Sequence, residues 1–120
     1  MCIRDSINAS ARARGLPETD VPSPTFTLVQ PYDLSGLTIH HFDLYRLTDA
    51  DEALELGIED ALTEGVCLIE WPDRLGDLLP DHALEITLDH GETATARTAE
   101  LRFGPDWQDR VGGALEPFAA

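Results

Sequence analysis

The run VCLIEW, at residues 66–71, constrains the fold of this chain more than any other segment. A short, continuous apolar run is typical of a strand that is covered on both faces, and such strands occur mostly in parallel sheets flanked by helices. The run LTIHHF, at residues 37–42, predicts a second interior strand. Residues 47–65 lie between the two runs and have a helical pattern. This order predicts an α/β fold with a mostly parallel sheet.

The remaining segments extend this fold at both ends. Residues 7–15, INASARARG, predict the last turns of a helix that closes at Gly15. Residues 25–32 alternate as a strand does, and the turn DLSG leads from there into the next strand. Four later elements are predicted: a short helix from Pro72 to Leu79, two strands at residues 82–90 and 95–103, and a weak helix in the tail. The two late strands are expected to form an antiparallel hairpin.

The first six residues, MCIRDS, show no periodic pattern and no targeting signal. A length of 120 residues suits one domain but is short for a doubly wound α/β enzyme. The helix at residues 7–15 also lacks a recognisable beginning. We therefore expect a leader at residues 1–6 that is foreign to the fold, followed by a partial domain at residues 7–120.

The charge of the chain excludes several classes of partner. There are 23 acidic residues and 8 basic ones, the net charge is -15, and every basic residue is an arginine. Without lysine the chain cannot supply a phosphate-binding lysine, and its average field repels nucleic acid and nucleotide alike. We therefore expect no direct binding of RNA.

Cysteine content and hydropathy bear on where the protein works. The chain has 2 cysteines, and Cys67 lies inside an apolar run, so no disulfide framework is predicted. No apolar run approaches the roughly 18 residues that a membrane helix needs. The sequence therefore predicts a soluble protein of the reducing cytoplasm.

Both predicted interior strands end in a carboxylate, Asp43 after LTIHHF and Glu70 after VCLI. In open α/β sheets the ligand lies beyond the carboxyl ends of the strands, where a carboxylate can hold Mg²⁺ or orient a water against a phosphate. Structural roles would also explain these acids, because each could cap the following turn and Asp43 could pair with Arg46. The spacing alone leaves both interpretations open.

Two other groups of residues are candidate ligands. His41 and Asp43 would share one face of their strand and could bind a metal, but His40 points to the other face and no third ligand follows at a zinc-like spacing. In SPTFT, Thr25 and Thr27 offer hydroxyls that could contact a phosphate or its metal. The same segment could equally be a turn that enters a strand.

Five motifs follow one another along the chain: SPTFTLVQPY, HHFDLYRL, DEALELGIEDAL, VCLIEWPDRL and LLPDHALEI. In this order they resemble the TsaE family, the ATPase component of bacterial tRNA threonylcarbamoyladenosine synthesis. The resemblance covers roughly residues 7–103. It implies a P-loop NTPase-like α/β fold with Mg²⁺ and ATP as ligands. It also implies a complex with the two related proteins that transfer threonylcarbamoyl to adenosine 37 of tRNA. ATP hydrolysis would reset that complex.

The resemblance assigns roles to single residues. Glu70 would be the acidic Mg²⁺ ligand, and Asp43 would help to position the metal or the attacking water. Trp71 would wall the nucleotide site. The remaining matches are Thr25 and Thr27, in the mobile loop near the γ-phosphate, and Arg97, a looser match to a late basic residue near the nucleotide.

One motif of the family is missing from the chain. TsaE proteins begin with a strand and a glycine-rich phosphate loop that carries G-K-T, whose amides and lysine hold the phosphates. Here MCIRDS stands in that place. We therefore expect a fold without its first strand and phosphate loop, and a chain that is inactive alone.

Two other functions compete with the ATPase subunit. The chain could be a non-enzymatic interaction module whose acidic surface docks on a basic partner. It could also be a small hydrolase that uses a transition metal at His41 and Asp43.

Overall fold

The computed structural model of the protein describes residues 3–17 and 28–118. It divides into two compact units, Met1–Leu78 and Leu79–Ala120. The first contains α1 (Ile3–Ala13), β1 (Val29–Asp33), β2 (Thr38–Asp43), α2 (Asp51–Glu55), α3 (Ile58–Glu64), β3 (Val66–Glu70) and a 3-10 helix at Pro72–Leu78. The second contains β4 (Glu85–His90), β5 (Arg97–Arg102), α4 (Pro105–Leu115) and a 3-10 turn at Glu116–Phe118. No helix in the described ranges is long and apolar enough to cross a membrane.

The first unit is built on a three-stranded sheet with the order β1, β2, β3. β1 pairs with β2 as an antiparallel hairpin, and β3 pairs with β2 in parallel after the crossover through α2 and α3. The predicted α/β class and the parallel pair are therefore confirmed, and the described sheet also contains one antiparallel pair. That the domain is P-loop-like, and lacks a first strand and a phosphate loop, stays a prediction.

β3 is less covered than its sequence predicts. Val66 is 43% exposed, and the four residues that follow it are only partly buried. β3 lies at the end of the sheet order, so within the described residues only one of its edges is paired. Residues VCLIE of this run therefore form the predicted parallel strand, but the prediction that both of its faces are covered is wrong.

Helix α1 closes as the sequence predicts. Gly15 adopts a φ of 72°, which favours glycine, and the N–H groups of Gly15 and Leu16 donate to the carbonyls of Arg12 and Ala11 at 3.0 and 2.9 Å. This pair of bonds is a Schellman motif. The helix begins at Ile3, inside the predicted leader, and the division into a leader at 1–6 and a domain at 7–120 stays a prediction.

Helix α1 packs against the β1–β2 hairpin. Its residues Ile7 and Ala11 are fully buried in a cluster with Leu34 and Ile39. The Arg14 side chain then fixes the hairpin turn, because its Nε donates to the carbonyl of Leu34 at 2.6 Å. Apolar burial and a charged donor together hold the helix to the sheet.

The second unit contains the predicted antiparallel hairpin. In its register Ile86 lies opposite Leu101 and Leu88 opposite Ala99, so one face is apolar. Helix α4 follows the hairpin, as predicted, and Trp107 anchors its first turn. The indole Nε1 of Trp107 donates to the carbonyl of His82 at 2.6 Å.

Replacing Gly65 by alanine is expected to destabilise the first unit. A Cβ at Gly65 would collide with the carbonyl oxygen of Thr38, so the backbones at the start of β2 and β3 must move apart. We expect a loss of about 1–3 kcal/mol in the free energy of unfolding, measured by urea denaturation. The control is Gly113→Ala in α4, which has open space at the Cβ and should be neutral or stabilising. Equal stability of Gly65→Ala and the parent chain would contradict this expectation.

Candidate functional site

The two strand-end carboxylates lie side by side. Asp43 and Glu70 are paired positions in the parallel ladder between β2 and β3. The N–H of Leu44 donates to the carbonyl of Glu70 at 3.1 Å, which extends the pairing one residue further. Aligned positions of neighbouring strands carry their side chains on the same face. The structure therefore brings together two acids that are 27 residues apart in sequence, at the carboxyl edge of the sheet.

Glu70 has a partner that the sequence interpretation missed. The imidazole Nε2 of His41 lies 3.1 Å from Oε2 of Glu70. His41 is only 3% exposed, whereas the Glu70 side chain is 40% exposed. The sequence did place His41 near the candidate site, because His41 lies two residues before Asp43 on the same strand face. It does not give the register between the strands, which brings Glu70 beside His41.

Asp43 has a local structural role. Its Oδ1 accepts a hydrogen bond of 3.2 Å from the backbone N–H of Tyr45, which forms a turn directly after β2. Short acidic side chains commonly make such bonds two residues on. The structural interpretation of Asp43 is therefore present in the molecule.

Trp71 lies next to the two acids in an unusual conformation. Its φ is 62°, in the left-handed region, which is unfavourable for a bulky residue. Its ring centroid lies 5.0 Å from that of Tyr45, with an interplanar angle of 55°. Both rings are about half exposed. The sequence interpretation singled out Trp71 but missed Tyr45, which follows Asp43 by two residues.

The remaining predicted contacts involve Thr25, Thr27 and Arg97. Thr25 and Thr27 lie outside the described residues. Arg97 lies in β5 of the second unit, where its Nη1 donates to the carbonyls of Ala94 and Ala96 at 3.1 and 2.8 Å. The guanidinium therefore stabilises the β4–β5 turn. The nucleotide role of all three residues stays a prediction.

The acids fit one kind of metal better than another. No group of three or more His, Cys, Asp and Glu side chains in the described ranges could hold a metal alone. Burial raises the pKa of the Cys67 thiol to about 11, which disfavours the thiolate that a soft metal would need. Mg²⁺ often takes only one or two protein carboxylates and completes its shell with phosphate and water. Asp43 and Glu70 match that donor set.

Comparison with known proteins identifies the family. The model of one family, described as threonylcarbamoyl adenosine biosynthesis protein TsaE, matches residues 6–99. The chain belongs to the TsaE family. The matched range agrees with the resemblance seen in the five motifs, and it includes Asp43, Glu70 and Trp71.

Curated TsaE proteins and one solved structure are similar to this chain. The Haemophilus influenzae protein is 42% identical over 83 residues, which are 68% of this chain and 51% of that protein. The Rickettsia felis protein is 45% identical over 71 residues, 59% of this chain and 42% of that protein. The crystal structure of Bacillus subtilis YdiB has a TM-score of 0.63 at 22% identity and covers 91% of this chain and 66% of that one. This structural likeness supports the fold.

The chain spans about half the length of the curated TsaE proteins that it matches. The strand-end acids and the aromatic pair lie within the range that the family model matches.

Proposed function

We propose that this chain carries the acidic, metal-binding part of an Mg-ATP hydrolysing subunit in the machinery that makes threonylcarbamoyladenosine in tRNA. Membership of the TsaE family supports the pathway, and the pairing of Asp43 with Glu70 supports the site. The pairing is the observation that carries the proposal. Two carboxylates at the carboxyl edge of a sheet are suited to a cation that bridges protein and phosphate.

Glu70 and Asp43 have different proposed roles because their surroundings differ. Glu70 is partly exposed at the strand end and presents its carboxylate as the Mg²⁺ ligand. Asp43 is held by the Tyr45 N–H through one oxygen, so its orientation is fixed for positioning the metal or the attacking water. When bound, Mg²⁺ would neutralise charge on the phosphates, which is the main requirement of phosphoryl transfer.

The nucleotide would lie beside this edge. The half-exposed ring of Trp71 would line one side of the nucleotide site, and the ring of Tyr45 packs against it. Thr25 and Thr27 are proposed to approach the γ-phosphate, and Arg97 is proposed as a late basic contact. The partners are proposed to be the two related proteins of the threonylcarbamoyl-transfer complex, with no direct contact to tRNA because the net charge is -15.

Fluorescence of Trp71 tests the metal site. The chain has 2 tryptophans, so Trp107→Phe leaves Trp71 as the sole reporter. We expect Mg²⁺ to change its emission, because the ligand Glu70 precedes it directly, and Glu70→Gln to abolish the change. Glu59→Gln, at an exposed acid of α3, is the matched control and should leave the change intact. Emission that ignores Mg²⁺, or that responds equally in Glu70→Gln, would contradict the proposal.

A second candidate function is an acidic interaction module. The hydrogen bond from Tyr45 N–H to Asp43 favours it, because that bond gives Asp43 a structural task. In that case the chain would ignore Mg²⁺ but would still bind a basic partner, and added salt would weaken that binding. Emission that is indifferent to Mg²⁺ together with salt-sensitive partner binding would favour the module over the ATPase subunit.

A further inference from the structure

We propose that His41 is a positioning residue that holds the Glu70 carboxylate at the edge of the sheet, with one oxygen tethered and the other directed toward the ligand. The 3.1 Å contact between His41 Nε2 and Glu70 Oε2 is the observation behind it. The inference rests on the proposed function, because it treats Glu70 as the metal ligand.

His41 is the rigid member of the pair. Its side chain is 3% exposed and lies in β2, the central strand, between Ile39 and Asp43 on the same face. Glu70 ends its strand and is 40% exposed, so its long side chain would otherwise sample several rotamers. The hydrogen bond from the buried His41 ring to one oxygen of Glu70 therefore restricts the conformations of this carboxylate.

The hydrogen bonds of the ring point to this task. An ionised carboxylate only accepts hydrogen bonds, so the proton of the contact is on Nε2. The other ring nitrogen, Nδ1, is buried and has no hydrogen-bond partner in the described ranges. Leaving a buried polar atom unpaired is unfavourable, and an apolar side chain of similar size would avoid it. The bond to Glu70 is therefore what distinguishes histidine from leucine at this position.

The tether also decides which oxygen is offered to the ligand. Oε2 is the oxygen of Glu70 that contacts His41, so Oε1 is the oxygen offered to the ligand. Carboxylates that bind metals are commonly held by a further hydrogen bond, and loss of that partner typically lowers metal affinity about 10- to 100-fold. We expect the same range for loss of the His41 tether.

The tether can be measured without metal by ¹⁵N NMR of the imidazole rings. The chain has 4 histidines, and the spectrum of His41→Gln assigns the His41 signals. We expect one ring form protonated at Nε2 in the parent chain, and a shift of that signal in Glu70→Ala. An unchanged ring spectrum in Glu70→Ala would overturn the tether.

The positioning role is measured with Mn²⁺ alone as the probe, through paramagnetic broadening of the Trp71 indole signal. We expect His41→Leu to weaken Mn²⁺ binding about 10- to 100-fold. We expect His41→Gln, whose amide can still donate to Glu70, to restore it. The matched control is His40→Leu, the same substitution on the opposite face of the same strand, which should leave Mn²⁺ binding unchanged.

The outcomes separate this inference from the proposed function. Loss of Mn²⁺ binding in Glu70→Ala, with unchanged binding in His41→Leu, would overturn the positioning role and leave the metal site intact. Unchanged Mn²⁺ binding in Glu70→Ala would overturn both the metal site and the ligand-directing role of His41. The NMR signals of the His41 ring would then test only whether His41 is hydrogen-bonded to Glu70. If His41→Leu fails to fold, His41→Asn replaces it, because its amide is shorter and cannot reach Glu70. Equal Mn²⁺ binding in His41→Gln and a folded His41→Asn would then overturn the positioning role of His41.

Discussion

Replacing Phe42 by alanine is expected to remove a large part of the stability of the first unit. Phe42 is fully buried in the central strand, where it pairs with Val29 in β1 and Ile69 in β3. Truncating a buried phenylalanine typically costs about 3–5 kcal/mol, through lost apolar burial and the cavity that remains. Small domains have only about 5–15 kcal/mol of stability in total.

Circular dichroism melts measure this effect. We expect the unfolding midpoint of the first unit to fall by more than about 12 °C, since each 1 kcal/mol shifts a domain of this size by about 4–8 °C. The matched control is Phe103→Ala, the same substitution at a side chain that is 40% exposed, which should lower the midpoint far less. Equal shifts in the two variants would show that Phe42 is not part of a packed core.

Mg-ATP is expected to bind the 120-residue chain with a Kd of about 1 mM or weaker, a binding free energy of at most about 4 kcal/mol in magnitude. The chain has a net charge of -15 and no lysine, so its field opposes a polyphosphate and no lysine side chain can compensate the phosphate charge. The carboxylates of Asp43 and Glu70 can reach the nucleotide only through the metal.

Isothermal titration calorimetry measures this affinity. A titration of the chain with Mg²⁺ alone is the control, because it separates metal binding at Asp43 and Glu70 from nucleotide binding. Micromolar affinity for Mg-ATP would show that other groups of this chain hold the phosphates, and the account of its charge would then be wrong.

The pattern of apolar runs predicted the elements of the fold well. The strands at LTIHHF and VCLI, the helical segment between them, the end of α1 at Gly15 and the late hairpin all agree with the structure. These features depend on local chemistry, namely side-chain periodicity and the backbone freedom of glycine. The burial of β3 could not be predicted in the same way, because it depends on how many neighbours the strand has.

The candidate site, too, was predictable only where it depends on local sequence. The sequence predicts that Asp43 and Glu70 each end a strand, but it does not give the register between those strands. The register places the two acids side by side and also brings His41 to Glu70. A sequence interpretation could pair His41 only with Asp43, its neighbour on the same strand face.

The sequence by itself determined the α/β class, the acidic charge and the identity of the two strand-end carboxylates, because each of these follows from composition or from local spacing. Its five motifs also carried the resemblance to the TsaE family. Only the tertiary structure decided that Asp43 and Glu70 are paired positions, that a buried histidine grips one of them, and that Tyr45 contacts Trp71. The reason is physical: these contacts join residues that lie on, or directly after, different strands. Their distances follow from strand register and burial, which arise only when the whole unit packs.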